Sequence, residues 1–434
     1  MLQYVIAFIV IIVFLFVFFM KPTVEVYIKY TLWTLPFADA KILPLDFGFV
    51  KVFDVLALIA VIFLFKNFLT FKNGKTNMGY LILVLLFVLT TLAGKFFSEF
   101  PSNNIHTLYP LFSIFIFTRF FIHLLYEDFE RRFELFKILK IVFLFLIGIM
   151  CLQFFLGPSL SYYTAVHSNA SGESFGTTRF PGLFVDSQTN GQFLAMASFF
   201  FLLIQTVKDK KEMKKSFLYF ALAAICVILA GSRSALGGFL IGFTLYFLFT
   251  DFKTKVIIGF VGMFAIGSLL IAQPNAAIFG RTENVGEDFS FREAIWIETI
   301  EIIEEYPSLG IGIGNFKKYI MIYNQDMNIV LEPGVDYYYF SQPENGYLKI
   351  IVEHGVLASI VLILLILIPF VKSLNGLLNL SINKEVIYVL SSLISFLIAF
   401  NTVYSLVDYR ITCLLGILVS LAILYTNSAK PNYL

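Results

Sequence analysis

Apolar residues run in blocks of roughly 17 to 25 along most of this chain, and that pattern limits its fold more than any motif does. At 1.5 Å per residue, a helical block of that size crosses the ~30 Å hydrocarbon core of a bilayer. The blocks are apolar all round and lack the one-sided stripes of soluble helices. Composition agrees. Only 14% of residues are charged, against about 25% in soluble domains, and Phe occurs 53 times. Mean hydropathy is +0.85. A soluble enzyme, a disordered chain and a nucleic-acid binder are excluded. Cys151, Cys226 and Cys413 each fall inside an apolar block, where a thiol acts as a small hydrophobe. They form neither a disulfide framework nor a metal site.

The expected fold is an all-α polytopic membrane protein, one integral membrane domain over residues 1–434. Twelve spans are predicted, near 4–20, 50–66, 78–94, 105–125, 138–156, 187–207, 216–231, 233–250, 255–272, 346–371, 384–402 and 408–426. The stretch 23–42 is too polar for a clean span and reads as interfacial. Lys and Arg gather in alternate loops: Lys66, Lys72 and Lys75; Arg131, Arg132 and Lys137; Lys208, Lys210, Lys211, Lys214 and Lys215; Lys253 and Lys255. Short cytoplasmic loops collect such residues, so these loops and both termini are expected on the cytoplasmic side of the membrane. The segments 157–186 and 273–345 and the tight Gly231–Ser234 turn then lie outside. The two halves show no internal repeat, and polar residues gather at the outer ends of spans. A scaffold with one outer site fits this better than a two-fold repeated transporter or flippase.

The long outer segment 273–345 carries a predicted amphipathic helix at about 290–306, SFREAIWIETIEIIEEY. Ser290 with Glu293 forms a capping-box pattern, and Pro307 ends the helix. Arg292, Trp296, Ile300 and Ile303 share one face, while Glu298, Glu301 and Glu305 share another. Such a helix rests on the bilayer surface or on the mouth of the bundle. Gly310, Gly312 and Gly314 follow in PSLGIGIGNF, where the backbone can turn tightly and approach a ligand or a helix closely. No strand–turn–helix unit surrounds them, so this is not a dinucleotide fingerprint.

Arg233 stands in GSRSALGG between two spans separated by almost nothing. It could snorkel to lipid headgroups. On the predicted topology, however, Arg179 and Arg292 share its depth. Guanidinium groups bind phosphate bidentately and stay charged, so three at one level suit a diphosphate. QPENGYLKIIVEHG opens the tenth span. It puts Pro343 in the first helical turn and Glu344 at the helix N-terminus, with Asn345, Lys349 and Glu353 as a polar stripe. Lys349 and Glu353 read as an i,i+4 ion pair. His106, His123, His167 and His354 show no metal-ligand spacing. Asp408 and Arg410, at the outer end of the last span, either join the site's mouth or simply pair.

These residues resemble the O-antigen ligase and O-antigen polymerase superfamily of bacterial surface-polysaccharide enzymes. The likeness rests on four elements covering roughly residues 175–360: GSRSALGGFLIG; the outer-loop pattern from Arg292 and Trp296 through Pro307, Gly310, Gly312 and Gly314 to Asn315-Phe316; Pro343-Glu344-Asn345 with Tyr347, Leu348, Glu353 and Gly355; and Arg179 with Gly182-Leu183-Phe184. The resemblance implies a C-type glycosyltransferase fold and an undecaprenyl-pyrophosphate-linked oligosaccharide donor and acceptor. It also implies inverting transfer on the outer face of the membrane, without cofactor or metal. Whether a chain-length regulator binds is left open. Ligases commonly carry a histidine where Glu344 stands, so the glutamate favours a repeat-unit polymerase of O-antigen, capsule or exopolysaccharide. Glu344 becomes the expected base, Arg233, Arg292 and Arg179 the pyrophosphate ligands. Asn345, Tyr347, Trp296, Gly312, Gly314, Glu353, Asp408 and Arg410 are the expected supporting residues.

Overall fold

The structure is a computed structural model, and it describes residues 2–45, 48–69, 74–98, 100, 108–157, 160, 179–203, 210–250, 255, 285–323 and 342–427. The described part is a helical membrane bundle with one small β-hairpin. In chain order the helices are α1 (Leu2–Met20), α2 (Val24–Trp33), α3 (Val52–Phe63), α4 (Phe65–Leu69), α5 (Gly74–Phe97), α6 (Tyr109–Glu127) and α7 (Arg132–Leu156). They continue with α8 (Ser187–Leu203), α9 (Lys210–Leu229), α10 (Arg233–Phe249), α11 (Val285–Glu305), α12 (Phe316–Tyr323), α13 (Gly346–Leu378), α14 (Val386–Ala399) and α15 (Tyr409–Asn427). Strands β1 (Lys41–Leu45) and β2 (Gly48–Lys51) pair antiparallel between α2 and α3. The hairpin is the one departure, among the described residues, from the all-α expectation.

Five segments among the described residues are long and apolar enough to cross a membrane: α1, α6, Phe129–Leu156, α13 and α15. Shorter apolar helices, α3, Ile82–Phe97, α10 and α14, stand where further spans were expected. The expected span at 50–66 divides: α3 ends at Phe63, and α4 starts two residues later. The expected span at 255–272 lies outside the described residues except for its first residue. The stretch 23–42 contains α2, whose ten residues reach about 15 Å, half a bilayer core. Its Tyr27 packs edge-on against Phe120 of α6 at 5.5 Å.

Helix association inside lipid depends on shape and on satisfied polar groups rather than on hydrophobicity. Gly238 and Gly242 of α10 face Ser391 and Ser395 of α14, so closely that a Cβ on either glycine would collide with a carbonyl of α14. This is a small-xxx-small contact on both partners. Ser392 of α14 donates to the Met196 carbonyl of α8 at 2.8 Å, and Ser373 of α13 to the Ala422 carbonyl of α15 at 3.0 Å. Phe143 sits edge-on between Phe193 and Phe200, at 5.5 and 5.7 Å, locking α7 to α8. The bundle is centred on α15, 94% of whose apolar window is buried, and α1 lies at its rim with 22%.

Candidate functional site

The starts of α8, α10, α13 and α15 meet the ends of α5, α9 and α14 at one end of the bundle. Local chemistry fixes the start of α13. Asn345, with extended backbone, accepts the Tyr347 and Leu348 amides at 2.9 and 3.2 Å, the geometry of an N-cap. Its Nδ2 donates to Asn401 at 3.1 Å, and the Gly346 amide donates to the Phe400 carbonyl at 2.9 Å. A side chain at Gly346 would strike the Phe400 carbonyl and ring, so only glycine permits this junction with α14. The Tyr347 hydroxyl donates to the Leu397 carbonyl at 2.7 Å.

Two expectations shift here. Pro343 precedes the helix and is not in its first turn, because Asn345 takes the cap. Glu344 likewise stands just outside the helix, in the left-handed region at φ 49°. A non-glycine residue pays roughly 1–3 kcal/mol for such a conformation and holds it only where its surroundings fix it. The surroundings here are the Asn345 cap on one side and the Pro343 carbonyl on the other. That carbonyl accepts the Trp296 indole N–H at 3.1 Å. The Glu344 carboxylate lies 3.8 Å from the Arg292 guanidinium, with both side chains about 30% exposed. Burial pushes the Glu344 pKa above its ordinary value, against the opposing pull of Arg292.

Trp296 and Arg292 come from α11, which begins at Val285, earlier than the predicted 290, and ends at Glu305. Ser290 is therefore inside the helix and does not cap it. The buried stripe also differs from the expected face. Ile295, Thr299 and Ile302 point inward, while Ile300 is 43% exposed. The reason is the support: Ile295 and Ile302 cluster with Ile311, Phe316, Ile320 and Val352, the last of these on α13. Thr299 is tolerated inside because its hydroxyl donates to the Ile295 carbonyl at 2.6 Å. Of the two resting places considered, α11 lies on the bundle.

The glycine loop makes that docking possible. The Ile311 amide donates to the Val352 carbonyl at 2.8 Å, and the Val356 amide to the Pro307 carbonyl at 2.9 Å. Between these bonds α13 breaks at Gly355, with φ 79° and ψ 168°. A Cβ at Gly355 would run into the Ser308 carbonyl, and one at Gly310 into the Val352 carbonyl. Gly312 and Gly314 also take positive φ, 90° and 77°, as the chain turns into α12. Here the glycines serve the approach of a loop to a helix. Glu353, 2% exposed, accepts the first amide of α12 (Phe316) at 3.3 Å and lies 3.5 Å from Lys349. Glu353 is thus the cap of α12 as well as the partner of Lys349.

Glu344 opens on a cavity of about 330 Å³ lined by Asp39, Lys51, Arg179, Asp186, Thr189, Gln342, Tyr404 and Asp408, among others. Arg179 is 8% exposed, and its Nε has no hydrogen-bond partner among the described residues. A buried, unsatisfied guanidinium nitrogen is costly without a ligand or water. Asp186 is already used, since both its oxygens accept from Thr189, at 2.7 and 2.6 Å, at the start of α8. Arg233 is exposed at the first position of α10 and is not among the residues lining this cavity. It shares the end of the bundle: the Phe180 amide, next to Arg179, donates to the Leu229 carbonyl at 3.4 Å, just before the Gly231–Ser232 turn. Glu344 and Arg179 line this cavity, and Arg292 stands 3.8 Å from Glu344 although, like Arg233, it is not among the lining residues.

Asp408 and Arg410 do pair. Arg410, 0% exposed, makes a two-pronged contact with Asp408, reaches Asp39 at 3.4 Å and covers the Phe184 ring at 3.8 Å. Asp39 in turn pairs with Lys51 and accepts the Tyr409 amide at 3.1 Å. Burial opposes the charge on Asp39, but Lys51 and Arg410 outweigh it and hold its pKa low. Asp39, Lys51, Gln342 and Tyr404 were not picked out from the sequence. The available signal was the pair of short apolar runs in 41–45 and 49–51 with a glycine at 48 between them, a hairpin pattern that carries Asp39 back to Lys51.

Residues 218–363 match the family model described as O-antigen ligase. The matched stretch contains Arg233, Arg292, Trp296, Glu344 and Glu353, whereas Asp39, Lys51, Arg179 and Asp408 lie outside it. No curated protein matches the chain.

Proposed function

We infer that this chain polymerises undecaprenyl-pyrophosphate-linked oligosaccharide repeat units, a reading supported by the match of residues 218–363 to the O-antigen ligase family model. The reading includes a topology, with both termini in the cytoplasm and the cavity on the outer face of the inner membrane. The observation that carries it is the carboxylate of Glu344, 3.8 Å from Arg292, on a cavity that also receives the buried Arg179.

The chemistry follows from those three groups. In the transfer, the bond between the anomeric carbon and the pyrophosphate oxygen breaks as the acceptor hydroxyl oxygen bonds to the same carbon. The pyrophosphate leaves on its lipid carrier, and the hydroxyl proton passes to Glu344. Arg292 and Arg179 supply fixed positive charge where negative charge develops, in a poorly solvated place where such charge counts most. Arg233, at the rim, meets the pyrophosphate on entry. Burial raises the basicity of Glu344, and at 3.8 Å Arg292 stands beyond hydrogen-bond reach of its carboxylate. One displacement inverts the anomeric centre, and no second carboxylate is needed.

A glutamate at position 344, where ligases commonly carry histidine, favours polymerase over ligase. Purified protein in nanodiscs, supplied with a synthetic undecaprenyl-pyrophosphate oligosaccharide, should yield a ladder of lengths. A single shifted product on a different acceptor would make it a ligase. Vesicle transport without any new glycosidic bond would make it a flippase and end the enzymatic reading.

A further inference from the structure

The cavity in front of Glu344 has two walls of different electrical character. On one side stand Arg179, Asp186 and Glu344, with Arg292 outside the lining at 3.8 Å from Glu344. On the other stand Lys51, Asp39 and Asp408, with Arg410 behind them, two positive against two negative. The first wall sets one cation, Arg179, against the two carboxylates. The second is neutral as a unit, and its charges are fixed in place by one another. It offers a donor in Lys51 and acceptors in Asp39 and Asp408, with the half-buried Tyr404 ring beside them.

We propose that this second wall, Lys51 and Asp39 of the hairpin with Asp408, is the subsite for the hydroxyl-rich sugar of the acceptor, and that Lys51 selects it. A sugar hydroxyl both donates and accepts, so alternating fixed donors and acceptors recognise it. The anchoring is rigid. Lys51 is held by Asp39, lies 3.4 Å from the Val407 carbonyl and stands 5.0 Å over the Tyr409 ring. Arg410, wholly buried, ties Asp39 and Asp408 to the Leu183 carbonyl beneath. A binding group held in place by its neighbours loses little entropy when the ligand arrives. The hairpin and Asp408 lie outside residues 218–363, as Arg179 does, whereas Glu344 and Arg292 lie inside. The subsite rests on the transfer reaction proposed above.

The test separates the two. Full-length protein in nanodiscs, in a Trp33→Phe background, leaves Trp296 as the single tryptophan, bonded to Pro343 beside the cavity. Its fluorescence is titrated with oligosaccharides released by mild acid from the host's surface polysaccharide, and separately with inorganic pyrophosphate. Lys51→Met should weaken oligosaccharide binding about 10-fold or more, the loss of one hydrogen bond to a charged group. Lys51→Arg should retain most of it, and pyrophosphate affinity should be unchanged in both. In turnover, Lys51→Met should raise KM for the soluble acceptor and leave KM for the lipid-linked donor alone. Equal oligosaccharide affinity in wild type and Lys51→Met overturns the subsite. So does a loss confined to pyrophosphate, which would make Lys51 an anion ligand. Oligosaccharide binding that depends on Lys51, in a protein that forms no glycosidic bond, would keep the subsite and reject the polymerase.

Discussion

Glu344→Gln separates a reacting carboxylate from a structural one. Glutamine has nearly the same shape and can keep the left-handed backbone that Asn345 and the Trp296–Pro343 bond impose. What it loses structurally is an ion pair at 3.8 Å between side chains about 30% exposed, and pairs of that kind contribute roughly 0–1 kcal/mol. What it loses chemically is a base, and general-base assistance amounts to roughly 10²–10⁴ in rate, or about 3–5 kcal/mol of barrier. The expected outcome is therefore a nearly unchanged melting temperature, retained donor binding and a turnover lower by two to four orders of magnitude. The pH profile gives a second readout. Glu344 acts as a base only when deprotonated, so wild-type turnover should rise with pH through its pKa. Burial sets that limb above the ordinary glutamate value of 4.5. Arg292 pulls it down, so Arg292→Lys, which keeps the charge, should move the limb less than Arg292→Ala, which should shift it to higher pH. The assay is initial-rate polymer formation from a synthetic lipid-linked repeat unit, with donor binding measured separately. A glutamine variant that polymerised at the wild-type rate, or that kept the same acid limb, would refute the assignment. Asp408 and Glu353 would then be the next carboxylates to examine.

Arg292→Ala and Arg179→Ala should each lose polymer formation while inserting at near-normal abundance, since a charge-assisted contact to phosphate contributes about 1.5–3 kcal/mol; lysine replacements should recover only part, because the forked geometry is gone. Arg233→Ala should impair turnover less than either, given its place at the rim, and equal losses at all three positions by the same polymer assay would contradict that ranking. Gly355→Ala should destabilise by about 3 kcal/mol or more, combining a backbone region nearly reserved for glycine with a collision at the Ser308 carbonyl. It should also detach α11 from α13 and lower activity, and an unchanged melting temperature in a detergent thermal scan would show that the kink relaxes at no cost.

Features legible in the sequence were those whose geometry is set within a few residues. The glycines from 310 to 314 read as a place where backbone approaches backbone, and the structure has it; Asn345 was read as part of a polar stripe, although its side chain caps α13. The start of α11 was misread because Ser290 and Glu293 fit a capping box locally while the helix extends back to Val285, which no local pattern near Ser290 marks. Its inward face was misread for a similar reason. Which side of α11 is buried is decided by Val352 and Ile311 on other elements. The walls of the cavity were the least legible part, since Asp39 and Tyr409 meet across a separation of 370 residues.

The spans themselves hid their arrangement, because a segment that is apolar all round carries no periodicity to say which face looks inward. Hydropathy even falls as burial rises from α1 through α13 and Phe129–Leu156 to α15, with α6 the exception. α1 has a mean hydropathy of 3.0 and is 22% buried, whereas α15 has 1.7 and is 94% buried. Lipid supplies the physical reason. A helix at the rim must satisfy hydrocarbon on most sides, so every outward position is apolar. A helix at the centre meets only protein, and it can therefore carry Arg410, Thr412 and Ser420, all buried and all hydrogen-bonded. In a chain of this kind the less hydrophobic spans are where the polar framework of a site is found. Arg410, the largest fully buried side chain of the described residues, marks that framework: it holds the hairpin, α15 and the Leu183 segment against the cavity in which Glu344 stands.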